Sequence, residues 1–368
     1  MTTDRRYDID WLRVIAIGLL LIYHIAIIFQ PWAMFIGFIR SNETLELLWQ
    51  PMTMLNVWRI PLLFYVSGMG LFFAMKKRNW KALLLERSKR ILLPFVFGFF
   101  AITTLHMFVF QKYYNMPLNY YPDSGHLWFL GNIFVYVLLL SPLFFYLKKH
   151  DNGKFRKALS KVMSYAIGPL FISVFFMLEV GLVKPQIFEI YAKTWHGFFI
   201  GFLAFLFGFL FVYSGKSFWQ TVKKWKWLYI GIATILFIIR FTGLESISNM
   251  YLMSIESNCW IFGVFGLGYH YLNKPSNLLS YLSKAVYPVY ILHMFVLYLG
   301  ALFILPLHIN PWLQFIAITV FTFVVCFIIY EFMLRRINIL KPLFGLKWNY
   351  RNTNKLRSNQ VTKKAETL

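Results

Sequence analysis

The stretch DIDWLRVIAIGLLLIYHIAIIF, residues 8–29, decides the fold. After Trp11 it is apolar except for a guanidinium at Arg13 and an imidazole at His24. About 20 consecutive apolar residues suffice for a helix to cross the ~30 Å hydrocarbon core of a bilayer. In such a helix the two polar residues are eleven apart. At about 100° per residue they return to within roughly 20° of one face, about 16.5 Å apart along the axis. One stripe therefore carries a cation near one membrane surface and a titratable ring deep in the span.

The rest of the chain repeats the apolar pattern. Of 368 residues, 59% are hydrophobic and 14% are charged, against about 25% charged in an ordinary soluble protein. Further spans are expected near 55–75, 91–110, 127–147, 162–180, 195–214, 228–244, 249–271, 285–305 and 312–333, with the hairpin 228–271 the weakest because Arg240 interrupts it. The expected fold is thus an all-α polytopic membrane protein, a bundle of about ten transmembrane helices over residues 1–345. A polar basic tail, residues 346–368, is expected to be disordered or to rest on anionic lipid. The first span is too long for the apolar core of a cleaved signal peptide.

The net charge of +23 would suggest nucleic acid in a soluble protein. Here Lys and Arg crowd the N-terminus, 76–90, 148–161, 215–227, 272–284 and the chain after 333. The alternate loops hold only Arg40, Lys112, Lys184 and Lys193. That asymmetry follows the positive-inside rule and places both termini in the cytoplasm. No nucleic-acid partner is expected. Cys259 and Cys326 fall in apolar runs, so neither a disulfide nor a metal site is expected.

An ionisable side chain inside a membrane is a functional candidate by default, yet each has a plainer reading. Arg13 could snorkel to the near interface. His24, roughly 20 Å up its helix from Trp11, is too deep for that. It is either a packing hydrogen-bond partner or a general base that accepts a hydroxyl proton in acyl transfer. Arg87 and Arg90, in LLLERSKRILLPF, sit level with Arg13. They are one more positive-inside cluster, or with Arg13 a clamp for a polyphosphate. Glu256, in MSIESNCWIFGVFG, is expected some 10 Å below the outer surface, at the depth of His24. There it could polarise that imidazole or simply bond Ser254 or Asn258. Arg59 (NVWRIPLLFYVSG) and His126 with Trp128 (GHLWFL) mark outer helix ends. Tyr290 and His293 (YPVYILHMF) are three apart in the inner half of the ninth span, a packing pair or a second catalytic candidate.

Taken together, these segments resemble membrane acyltransferase family 3. The resemblance is carried by RYDIDWLRVIAIGLLLIYH with Arg13 and His24, by RSKR as an R-x-x-R motif, and by WRIPLLFYVSG, HLWFL, NCWIFGVFGLGYHYLN and LSKAVYPVYILHMFVLYLG. It runs from about residue 5 to 345 and is nearest the branch that includes the glucans biosynthesis protein C, a glucan succinyltransferase. The resemblance implies acyl transfer from cytoplasmic acyl-CoA, without a metal, to a hydroxyl of a glycan or similar envelope acceptor outside a bacterial cytoplasmic membrane. Arg13, Arg87 and Arg90 would hold the donor. His24 would be the general base, with Glu256 beside it. Arg59, His126, Trp128, Tyr290 and His293 would face the substrates. No esterase-like domain of the kind some relatives carry is expected after the last span. The acyl group (acetyl or succinyl), the acceptor and the oligomeric state are left open. A transporter or flippase with intramembrane Arg and His along a path, and a non-catalytic partner in an envelope complex, are the competing classes. The absence of an internal repeat weighs against the common transporter architectures.

Overall fold

The structure is a computed structural model and describes residues 5–151, 153–243 and 249–347. Among these residues the fold is all helical. In chain order the main helices are α1 (Tyr7–Ile28), α2 (Glu46–Met75), α3 (Trp80–Tyr113), α4 (Gly125–Lys149), α5 (Lys154–Met163), α6 (Pro169–Val183), α7 (Trp195–Tyr213), α8 (Lys216–Thr242), α9 (Met250–Leu267), α10 (Asn277–Ile304) and α11 (Pro311–Leu334). The polar tail expected at 346–368 lies, apart from its first two residues, outside the described residues.

Each of the ten expected spans contains helix, the one at 162–180 broken by a turn over 164–168, but among the described residues only eight helices are long and apolar enough to cross a membrane on their own. The two exceptions have different causes. α6 is too short. α9 carries Ser254, Glu256, Ser257 and Asn258 in its first turns, all buried against protein. Three boundaries also move. α8 begins twelve residues before its apolar run, because KSFWQTVKKWKW buries Phe218, Trp219 and Val222 on one face while Lys223 and Lys224 stay exposed. α5 folds from KFRKALSKVM, which lacks apolar length but has helical periodicity. α10 begins at Asn277, capped by the Ser276 side chain accepting from Leu279 N–H. That is eight residues before its apolar run.

The core forms where backbones come close. A Cβ on Gly68 would lie 2.0 Å from the Phe205 carbonyl oxygen, and one on Gly208 would lie 2.1 Å from that of Tyr65. α2 and α7 therefore touch through reciprocal glycines, as small residues allow between membrane helices. Beside this seam the Tyr65 hydroxyl donates to Asn258 Oδ1 at 2.7 Å, tying α2 to α9. α1 packs on α2 and α10, and α10 on α3 and α11. Four-residue spacing gives way to wider π turns at Ser88–Leu92 and Gly98–Ile102 within α3. Such bulges are frequent at functional sites, and the first of them holds Arg90.

Candidate active site

At the end of the bundle where α1 begins, a cavity of about 570 Å³ opens between α1, α2, α3, α4 and α10. Its mouth carries six arginines, Arg5, Arg6, Arg13, Arg78, Arg87 and Arg90, against two carboxylates, Asp10 and Glu86. Arg5 donates to Asp10 at 2.9 Å, and Arg90 Nη1 to Glu86 Oε1 at 3.2 Å. Arg13 is 3.6 Å from Asp10, and Arg87 Nε lies 3.1 Å from Glu86 Oε2 without hydrogen-bond alignment. Asp8 takes up Arg6 through two hydrogen bonds, which leaves five guanidiniums to Asp10 and Glu86, so the mouth keeps positive charge and free donors. The sequence pointed to Arg13, Arg87 and Arg90, which the fold does bring together. Arg5, Arg6 and Arg78 were hidden among other loop cations.

Past the mouth the wall turns apolar, through Ile17, Leu63, Phe129, Ile133 and Val137, and ends at Tyr290. The register of α1 against α2 carries the line further. Arg13 reaches Gly70, where a Cβ would sit 3.4 Å from its Nη2. Ten residues on along α1 is Tyr23, and eleven back along α2 is Arg59, whose guanidinium lies 3.6 Å over the Tyr23 ring. Arg59 is therefore at the level of Tyr23 and His24, about 16 Å from the basic mouth. It is buried. Among the described residues its Nε and Nη1, and Nε1 of the neighbouring Trp58, have no hydrogen-bond partner, and its bond to Asn56 Oδ1 is long at 3.5 Å. Among the described residues no carboxylate pairs with it. A buried cation left so is costly unless something fills the gap.

His24 meets a partner that the sequence placed elsewhere. Its Nδ1 is 2.8 Å from His293 Nε2. His293 was expected in the inner half of its helix, below His24. The early start of α10 at Asn277 shifts it outward by about 12 Å, to the level of His24. His293 Nδ1 is 2.6 Å from the Tyr290 carbonyl oxygen. The same oxygen and that of Ile291 accept from His126 Nε2 at 3.1 and 3.2 Å, and the Tyr290 hydroxyl donates to the His126 carbonyl at 2.6 Å. His126 Nδ1 is buried without a hydrogen-bond partner among the described residues. Four imidazoles thus run in a row from His24 through His293 and His126 to His106, which had not been singled out.

One expected pairing is not formed. Glu256 does not orient His24. Its oxygens accept from Arg240 Nε and Nη2, each at 2.9 Å, and Arg240 is also 3.6 Å from Glu189. The intramembrane arginine that weakened the 228–271 hairpin is the counter-ion of the carboxylate assigned to catalysis. A buried charge pairs with the nearest buried opposite charge, and spacing along the chain does not show which that is. Trp128 packs on Phe64 and Phe129, with no ring pairing to the histidine row among the described residues.

A bundle of apolar helices with a basic cavity mouth and a half-buried imidazole on one stripe is the architecture of a multi-pass membrane protein. Comparison with known proteins gives the class: a family model described as an acyltransferase domain matches residues 6–331, and the chain belongs to that acyltransferase family. No curated protein and no solved structure matches it.

Proposed function

We propose that this membrane acyltransferase takes an acyl group, acetyl or succinyl, from cytoplasmic acyl-CoA and passes it to a hydroxyl of an extracytoplasmic glycan or similar envelope acceptor. The membrane would be the bacterial cytoplasmic membrane, with both termini inside. The observation that carries this reading is a cavity whose mouth gathers six arginines and whose wall becomes apolar toward Tyr290. A CoA ester has that polarity, with phosphates at one end and a slender, less polar arm at the other. Guanidiniums bind phosphates in charge-assisted, often bidentate pairs. The thioester would pass Tyr290 to reach the level of His24, where Arg59 offers two N–H-bearing nitrogens to the acyl oxygen or to a carboxylate on the acyl chain. His24 would take the acceptor proton as the new ester forms. The carbon–sulfur bond breaks, and CoA leaves as the thiol once it regains a proton.

The test is direct. Purified protein in lipid nanodiscs, given labelled acyl-CoA and a glycan acceptor, should produce an ester-labelled glycan. Movement of unmodified glycan without labelling would instead mark a transporter.

A further inference from the structure

We infer that His293 is a positioning residue that fixes the tautomer of His24, in the place a carboxylate holds in a Ser–His–Asp triad. The inference rests on the proposed role of His24 as base.

Three observations carry it. First, a carbonyl oxygen can only accept, so the 2.6 Å contact with Tyr290 requires a proton on His293 Nδ1. Second, no carboxylate among the described residues hydrogen-bonds either ring. The charged or titratable groups around the pair include Arg59, His126, His106, Tyr23 and Tyr290, none of them a carboxylate. An imidazolium at His293, which is fully buried, would have no counter-charge. His293 is therefore neutral, and its Nε2 carries a lone pair. Third, that lone pair is aimed at His24. The planes differ by 11° and the centroids are 5.1 Å apart. This separation is what the 2.8 Å N···N contact and the two ring radii add up to, so the rings meet edge to edge in nearly one plane and are not stacked.

His24 Nδ1 must then donate, and its Nε2 is left as the basic nitrogen. No hydrogen bond to that nitrogen is found among the described residues, and His24 is only half-buried, so it is open to a substrate. In the reaction the acceptor O–H proton moves to His24 Nε2 as the hydroxyl oxygen bonds the acyl carbon and the thioester C–S bond breaks. The proton then passes to the CoA sulfur. Throughout, the His24 Nδ1–H···Nε2 His293 bond stays in place and strengthens while His24 carries charge. With the other tautomer His24 would offer Nε2–H and could not start the step. Loss of the correct tautomer costs about 10⁴-fold in a serine protease.

The experiment uses the full chain in nanodiscs, with kcat and KM for acyl-CoA measured on wild type and on His293→Ala, His293→Met and His293→Gln. Glutamine can accept from His24 and donate to the Tyr290 carbonyl, while methionine fills the space and can do neither. The expected result is a kcat lower by about 10²-fold or more in the Ala and Met variants, with KM for acyl-CoA within about twofold, and a kcat for Gln at least about tenfold above that for Met. Should His293→Ala fail to fold, the Met and Gln variants alone decide. Equal loss in Met and Gln would reduce His293 to packing and overturn the inference, as would near-normal kcat in Met. Wild-type-like turnover in His24→Ala would instead overturn the reading of His24 as base, a distinct failure.

Discussion

His24 is where the account is most exposed at the scale of single residues. A general base contributes about 10²–10⁴-fold to rate. His24→Ala and His24→Gln should therefore lose acyl transfer by that factor while acyl-CoA still binds. Single-turnover assays alongside a binding isotherm check both halves. At the mouth, Arg87→Ala and Arg90→Ala should each weaken acyl-CoA by roughly 1.5–3 kcal/mol if each makes one charge-assisted phosphate contact. Arg90 should fall at the low end, since about half of its side chain is exposed. Unchanged affinity in both would remove the clamp. Some of this was legible in the chain. Arg13 and His24 share one helix, and helical periodicity places them on one stripe. The partner of His24 was not legible, because it comes from a helix nearly 270 residues away. A polar cap outside the apolar run sets that helix's register. The capping serine at 276, followed by a leucine-rich periodic run, is the signal that would have moved the start of α10.

Between helices, the closest contacts make the firmest predictions. A side chain on Gly68 or Gly208 meets backbone rather than a movable side chain. Gly68→Val or Gly208→Val should thus force α2 from α7 and lower the melting temperature sharply, read by the loss of monodisperse protein on heating. The Arg240–Glu256 pair joins α8 to α9. Arg240→Met strands a buried carboxylate and should cost about 3–5 kcal/mol, whereas replacing both partners by apolar residues should restore much of it. In the loops a third pair is pH-dependent. Burial opposes the Asp123 charge, but the Lys193 ammonium at 2.5 and 2.7 Å and the Gly125 N–H at 2.6 Å outweigh it and hold the carboxyl below its usual range. A group held low when folded stabilises fully above its unfolded value, about 4, and loses that contribution as pH falls through the lower folded value. Melting curves should show Lys193→Ala less stable than wild type at pH 6, with the gap closing as pH drops below 4. Composition and period were enough to locate all ten apolar helices. They missed α5 and the first three turns of α8, because amphipathic turns at a membrane surface read as charged loop.

For the whole molecule the proposed orientation follows from charge. Loops rich in Lys and Arg would be inside, so reporter fusions at residue 155 should report the cytoplasm and fusions at residue 118 the outside. Residue 155 outside would invert every functional assignment. The arginine mouth and the histidine row lie about 16 Å apart along the same helices, and that separation is the central claim: donor on one side of the membrane, acceptor on the other. Proteoliposomes holding oriented protein, with acyl-CoA supplied only at the face bearing residue 155 and a glycan acceptor only at the opposite face, test it most directly. The account predicts ester formation on the glycan across the sealed membrane, abolished by His24→Gln. Acylation only when donor and acceptor share one face, with His24→Gln fully active, would contradict it.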